Sequence, residues 1–464
     1  MLRKIRIALA AVFFIGITLL FVGIGQQWWG WMAKLQFLPS CLALNAAVIV
    51  GITVLTIVFG RIYCSVICPM GVFQDIVTAI HRKFGKKKFM FNKEHKIVRY
   101  VVLGAFVIAL VCGIQLFVAL LAPYSAYGRV VSGIVGLASG KTVGTALLLT
   151  AGITLVAIFL CAWFWGRAYC NTVCPVGTVL SVFSRFALFR IRIDEDKCIA
   201  CGRCGKECKA SCIDTLSRKI DYSRCVDCFD CIGKCKAGAI SYGFAYGSKE
   251  KPAPAKDNFD KGRRQFIVTT ALLGGAAISA KAQEKHLDGG LAPVTPKQNP
   301  ERTERLVPFG AGSVKNFYDH CTACQLCVSS CPNGVLRPST DLEHLLQPQM
   351  GYENGYCRPE CTECSQVCPA GAILPITREE KLTIHIGTAH INMDLCLPAN
   401  GKASCGNCSR HCPVGAIRMV RGSAGYMVPT VAEEICIGCG ACENLCPSRP
   451  ISAITVNGLS VHHE

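Results

Sequence analysis

Between residues 198 and 235 two cysteine runs share one spacing: Cys198, Cys201, Cys204, Cys208 and Cys225, Cys228, Cys231, Cys235 both read C-x2-C-x2-C-x3-C. Three thiolates so spaced can wrap one face of an iron–sulfur cubane within a short loop, while the fourth reaches a neighbouring cluster. The expected ligand sets are Cys198, Cys201 and Cys204 with Cys235, and Cys225, Cys228 and Cys231 with Cys208. Structural zinc sites show two separated cysteine pairs rather than such ladders, and disulfides do not persist in a reducing compartment. Lys209 and Lys236 stand where proline usually follows the fourth cysteine. A tolerated substitution is the simpler reading; a charge that raises the cluster potential is the alternative.

Four further runs lie toward the C-terminus: Cys321, Cys324, Cys327, Cys331; Cys357, Cys361, Cys364, Cys368; Cys396, Cys405, Cys408, Cys412; and Cys436, Cys439, Cys442, Cys446. Each ends in Cys-Pro, and the first gap is stretched in the second and third. They predict four more clusters, six [4Fe-4S] clusters in all, with these 24 cysteines as iron ligands. Tandem pairing, first run with second and third with fourth, is the default; nested pairing stays open.

A third pattern is duplicated. Gly60-Arg-Ile-Tyr-Cys-Ser-Val-Ile-Cys-Pro-Met-Gly71 recurs as Gly166-Arg-Ala-Tyr-Cys-Asn-Thr-Val-Cys-Pro-Val-Gly177. Cys64, Cys68, Cys170 and Cys174 supply four thiolates, enough for a seventh cluster or another metal; a redox dithiol and structural caps are the competing readings. Cys41, Cys112 and Cys161 read as packing residues in or beside apolar segments, and Cys212 as a spare thiol.

The elements that position these residues are apolar runs near 7–24, 43–60, 98–121 and 144–165, each about the ~20 residues that cross a bilayer. Arg3, Lys4 and Arg6 precede the first. His81, Arg82, Lys83, Lys86, Lys87, Lys88, Lys93 and Lys96 lie between the second and third, and Arg167, Arg185, Arg190 and Arg192 follow the fourth. The other two loops hold only Lys34, and Arg129 with Lys141, so both ends of the four-span bundle are expected in the cytoplasm. Trp28, Trp29 and Trp31 would form an outer aromatic belt. The formal charge of +19 over 464 residues does not point to nucleic acid. A thiolate-bound cluster carries about −2, so six would offset about 12 positive units.

The expected fold is a membrane α-helical bundle of four spans plus α+β bacterial-ferredoxin-like domains. A transmembrane domain (1–190) precedes a cytoplasmic two-cluster ferredoxin (191–247), a Pro-rich linker (248–262) and a segment at 263–282. A second linker (283–314) leads to an external four-cluster ferredoxin (315–464). Arg263-Arg264 before a weak apolar run ending at Ala280-Lys-Ala282 reads either as a twin-arginine export signal or as the anchor of a fifth span.

Residues 1–245 resemble the NapH/MauN type of membrane quinol dehydrogenase, through the four spans, the twin Gly-Arg-x-x-Cys-x3-Cys-Pro motifs and the two-cluster tail. Residues 260–464 resemble the NapG/MauM type of exported ferredoxin, fused here to the first part. That family usually carries tryptophan within C-x3-C, where this chain has Ser65-Val-Ile67 and Asn171-Thr-Val173. The resemblance implies a bacterial inner-membrane protein, in contact with lipid, that oxidises quinol as its substrate and passes electrons to a periplasmic reductase or acceptor. Asp75, His81 and His95 are the cytoplasmic-side candidates for a quinol proton acceptor, and Tyr124 and Tyr127 the outer ones. No nucleotide-binding glycine motif supports NADH as donor. Two other readings compete: a transmembrane conduit fed by a cytoplasmic ferredoxin, and a maturation or metal-handling factor. The sparse Met (8) and His (10) weigh against the latter.

Overall fold

The computed structural model describes residues 1–84, 89–92, 95–139, 144–246, 295–422 and 425–463. The 248–262 linker, Arg263-Arg264 with Ala280–Ala282, residues 283–294, and Lys86–Lys88, Lys93 and Lys141 lie outside the described residues.

Apolar sequence at the N-terminus forms α1 (Leu2–Val22), closed by Gly23, whose left-handed backbone (φ 88°) lets its N–H reach the carbonyls of Leu19 and Leu20. Then follow α2 (Gln26–Lys34), α3 (Phe37–Leu42), α4 (Ala46–Phe59), α5 (Tyr63–Val66) and α6 (Pro69–Phe84). The second half repeats this plan with α7 (Lys96–Val111), α8 (Gln115–Leu121), α9 (Pro123–Ala138), α10 (Thr145–Trp165), a π-helical turn at Tyr169–Val173 and α11 (Pro175–Ser184).

Among the described residues two helices, α1 and α10, are long and apolar enough to cross a membrane; the pair α8 and α9, bent by 80°, would make a third if counted as one broken span. The expected spans at 43–60 and 98–121 differ from this. The first is α4, only 14 residues, about 21 Å against a hydrocarbon core of about 30 Å. It stops at Gly60 (φ 79°), where the chain turns into the first cysteine motif. The second is broken at Gly113 (φ 73°) into α7 and α8. Pro123 sits in the first turn of α9, where its missing N–H costs no helical bond.

Two ferredoxin units cap opposite ends of the bundle. In the first, strand β1 (Phe189–Ile193) pairs antiparallel with β2 (Ile240–Phe244), joining the unit's two ends around the cysteine loops. Arg3, near the start of α1, bonds Asp230 of this unit at 2.8 Å. In the second, β3 (His385–Ile391) pairs with β6 (Ile454–His463), and β4 (Ile417–Arg421) with β5 (Met427–Val431), all antiparallel. Its short helix α12 (Leu326–Ser330) meets the far end of α1, where a Cβ on Gly23 would lie 3.5 Å from the Ser329 carbonyl, and α13 (Glu363–Val367) packs on α2. The 21 residues between these contacts span about 31 Å.

Candidate iron–sulfur centres

The two Gly-Arg-x-Tyr-Cys-x3-Cys-Pro-x-Gly motifs interlock, and each residue type has a visible task. Arg61 of the first copy donates to the Cys170 carbonyl (3.1 Å), and Arg167 of the second donates to the Cys64 carbonyl (2.7 Å). Each arginine therefore caps the first cysteine of the other copy. Pro69 and Pro175 start α6 and α11, and the Cys174 sulfur accepts from Gly177 N–H at 3.4 Å. Gly71 and Gly177 each lie against the first cysteine of their own copy, with the other copy's arginine alongside. A Cβ on Gly71 would stand 2.1 Å from the Cys64 oxygen, and one on Gly177 2.2 Å from the Cys170 oxygen. Tyr63 accepts from Phe37 N–H and donates to Gln36, while Tyr169 donates to Leu121, so each motif reaches back to the loop packed over it.

Cys64, Cys68, Cys170 and Cys174 are all buried and lie within electrostatic range of one another. Arg61 and Arg167 beside them are fully buried. Arg167 is neutralised by Asp75 (2.6 Å). Arg61 instead bonds neutral groups, the Asn171 side chain (2.9 Å) and the Ser223 carbonyl (3.0 Å), with the Cys64 sulfur at 3.9 Å.

In the first unit, Cys198, Cys201, Cys204 and Cys235 line one cavity, and Cys208, Cys225, Cys228 and Cys231 line a second. Cys212 also lies in the second, its sulfur 3.5 Å from that of Cys208, so it is no remote spare thiol. Lys209 is 2% exposed and reaches Asp75 on α6 (2.8 Å) and Asp230 (3.5 Å), while its carbonyl accepts from Arg167 N–H. Burial alone would raise the Asp230 carboxyl; Lys209, Arg3 and Arg82 hold it down at about 2. Lys209 is thus a docking residue, and the tolerated-substitution reading fails for it. Lys236, at the equivalent place, is exposed.

In the second unit, Cys321, Cys324, Cys327 and Cys368 gather, as do Cys357, Cys361, Cys364 and Cys331. Cys396, Cys405, Cys408 and Cys446 form a third set, and Cys436, Cys439, Cys442 and Cys412 a fourth. The fourth cysteine is exchanged between consecutive runs. The first set lies on the bundle: a Cβ on Gly128 of α9 would be 2.4 Å from the Cys324 carbonyl, and Ser132 bonds Ser329 at 2.9 Å. Tyr124, buried, stands within electrostatic range of Cys324 and Cys368 on one side and Tyr63 on the other. Tyr63 in turn faces Cys64, Cys68 and Cys174. Nothing in the sequence signalled this docking, which joins segments about 200 residues apart.

The donor sets fit cubanes. Among the described residues no three His, Cys, Asp or Glu side chains converge closely enough for a single metal ion; four of the cysteine sets line cavities instead. Backbone N–H groups of Ala239, Ala416 and Ala453 donate to the sulfurs of Cys235, Cys412 and Cys446 at 3.3 Å, bonds that suit anionic sulfur.

The proposed proton acceptors scatter. Asp75 is engaged by Arg6 (2.6 Å), Arg167 and Lys209. His81 packs its ring on Trp163 and Phe89, Tyr127 bonds Thr18 at 2.6 Å, and Tyr124 is enclosed beside Phe21. His95 is exposed and lines a cavity of about 460 Å³ with Phe89, Phe91, Trp165, Asn171 and Arg224.

Residues 43–87 and 147–194 match a 4Fe-4S binding domain, and 320–384 and 403–449 each match a 4Fe-4S dicluster domain. The putative electron transport protein YccM of Escherichia coli is 29% identical over 177 residues, covering 37% of this chain and 47% of YccM. The methylamine utilization ferredoxin-type protein MauN of Paracoccus denitrificans is 29% identical over 171 residues, 36% of this chain and 54% of MauN. The chain thus spans about half the length of these two relatives. The ferredoxin-type protein NapF of Escherichia coli is 32% identical over 156 residues, 33% of this chain but 86% of NapF. With cysteine sets that line cavities and 4Fe-4S domains at both ends, the chain belongs to the ferredoxin-type family that includes NapF.

Proposed function

We propose that the chain is a transmembrane electron conduit of the bacterial inner membrane, with seven [4Fe-4S] clusters: two in the first unit, four in the second, and one held by Cys64, Cys68, Cys170 and Cys174. The observation that carries this reading is Arg61. A guanidinium with no exposure, no ion pair among the described residues, the buried Asp227 carboxyl only within electrostatic range and a cysteine sulfur at 3.9 Å is costly to bury unless a further anion faces it. A [4Fe-4S] centre with four thiolates supplies that anion and takes up or releases one electron. The remaining residues hold the path in register. Lys209, Asp75 and Asp230 fix the first unit on the bundle, and Tyr63 and Tyr124 fill the space toward Cys324 and Cys368.

The basic residues at the first-unit end favour a cytoplasmic placement for it and an external one for the second unit. A metal-handling role finds no support in this arrangement. Quinol as the electron source is favoured by the cavity beside His95. It opens at the end of α10 past Phe164 and Trp165, is large enough for a quinol ring, and is bounded by Asn171, which bonds both Arg61 and the Ala210 carbonyl. There a quinol would give up two electrons singly to the cysteine-bound path and two protons to the aqueous side where His95 stands. The electrons would end on a periplasmic reductase or acceptor.

The test is cluster counting. In Cys64→Ser/Cys170→Ser protein, iron should fall by one cluster's worth and Mössbauer spectra should lose one component while the six others stay. An unchanged iron content would refute a seventh cluster.

A further inference from the structure

The cysteine sets of the second unit have an order in space that the sequence order hides. The set of Cys321, Cys324, Cys327 and Cys368 rests on the bundle. It shares exchanged cysteines with the set of Cys357, Cys361, Cys364 and Cys331. That second set touches the set of Cys436, Cys439, Cys442 and Cys412, because Cys357 N–H donates to the Cys439 carbonyl at 3.0 Å. Only then, through the exchange of Cys412 and Cys446, comes the set of Cys396, Cys405, Cys408 and Cys446. The third run in sequence is therefore the last station in space, farthest along the path from the bundle.

The surface around this last set has a particular chemistry. Its cavity is lined by Met419 of β4 and Pro429 of β5, which are register partners. Side chains alternate along a strand, so Arg421 and Met427, the pair two residues further on, continue the same face; both are exposed. The stretched gap between Cys396 and Cys405 is a loop that puts Lys402 in solvent, and Arg410 is exposed between Cys408 and Cys412. Arg449 follows Cys446 and donates to its carbonyl at 2.9 Å. Leu395 (42% exposed), Met427 (47%) and Ile451 (38%) supply apolar surface between these cations. Asp394, two residues before Cys396, is exposed and acidic, and Glu433 lies beside the adjoining set at Cys436.

We propose that this face is the electron exit, and that it docks an acidic protein carrying a one-electron centre. Four cations on the rim steer such a partner, and the apolar residues give contact at the point nearest Cys405 and Cys408. The electron leaves the iron–sulfur path and reduces the partner's centre by one unit, with no bond made or broken. The inference rests on the reading that electrons leave through the second unit, and it assigns a function to the stretched third motif.

The experiment uses the full chain in detergent, reduced anaerobically with dithionite and freed of excess. It is mixed by stopped flow with cytochrome c in its native basic form or after succinylation of its lysines, which makes it acidic and keeps the haem. The acidic form should be reduced about tenfold or more faster at low salt, and the advantage should vanish near about 0.5 M salt. In Lys402→Glu/Arg410→Glu/Arg421→Glu protein the preference should invert with iron content unchanged. Equal rates for the two forms, or a preference that survives the triple substitution, would overturn the assignment. If the triple variant loses iron, the wild-type salt dependence decides. Because the reductant loads the clusters directly, this result is independent of whether Cys64, Cys68, Cys170 and Cys174 carry electrons across the bundle.

Discussion

Substituting alanine for Gly71 or Gly177 tests the interlocked motifs with the smallest possible change. The added methyl would sit 2.1 Å from the Cys64 oxygen or 2.2 Å from the Cys170 oxygen, roughly 1 Å inside ordinary contact. The neighbouring atom is backbone and cannot rotate away, so α6 or α11 must retreat by about that distance. Overpacking of this kind costs about 1–3 kcal/mol. The methyl would also crowd the other copy's guanidinium, 3.0 Å from Arg167 Nη1 at Gly71 and 2.8 Å from Arg61 Nη2 at Gly177. That strains the arginine-to-carbonyl bond across the interface, 2.7 Å for Arg167 and 3.1 Å for Arg61, worth about 1.5–3 kcal/mol as a charged hydrogen bond. The total of about 2.5–6 kcal/mol corresponds to roughly 10²- to 10⁴-fold weaker assembly of the four-cysteine site. Iron per chain should drop from about 28 toward about 24 in either variant, with the ferredoxin EPR signals kept. Gly104→Ala in α7 and Gly152→Ala in α10 are the controls: nothing lies within 4 Å of either added Cβ, and alanine is the better helix former. Full iron content in Gly71→Ala and Gly177→Ala protein would refute the steric argument and the shared site with it.

Arg61→Gln removes the buried positive charge but keeps hydrogen-bonding atoms, and should lose the four-cysteine cluster, with Arg61→Lys restoring part of the iron. Lys209→Met breaks a buried ion pair, a change of about 3–5 kcal/mol; limited proteolysis should then release the first unit from the bundle, whereas Lys236→Met should leave the digestion pattern unchanged. Because the fourth cysteine is exchanged, Cys368→Ser should damage the centre built from the first C-terminal run and Cys331→Ser that built from the second. The reverse assignment by EPR of the two variants would contradict the cavity geometry.

How much of this the sequence discloses depends on the range of the contact involved. Cysteine spacing is local, so the 4Fe-4S character of both ends is readable without coordinates. The exchange of Cys208 with Cys235 is anticipated because a fourth cysteine three residues on projects away from its own loop. Apolar composition marks α1 and α10 but overstates the spans at 43–60 and 98–121, because hydropathy does not register that Gly60 and Gly113 adopt positive φ. Lys209 and Lys236 look alike in sequence, each following a fourth cysteine. They differ only in what packs on them, Asp75 being more than a hundred residues away from Lys209. The same holds for Arg61 and Arg167: the duplication is plain, yet the reciprocal capping of Cys170 and Cys64 exists only once the two halves meet. The seating of Ser329 and Cys324 on α1 and α9 has no local signature.

The central claim, that electrons cross the membrane through Cys64, Cys68, Cys170 and Cys174, is tested most directly in sealed vesicles. The chain is reconstituted with a membrane-impermeant reductant inside and an impermeant haem acceptor outside, and acceptor bleaching is followed with wild-type and Cys64→Ser/Cys170→Ser protein. The account predicts transfer by the wild type and its loss in the variant, while both ferredoxin units remain reducible from their own sides. Transfer that continues at the wild-type rate in the variant would contradict it.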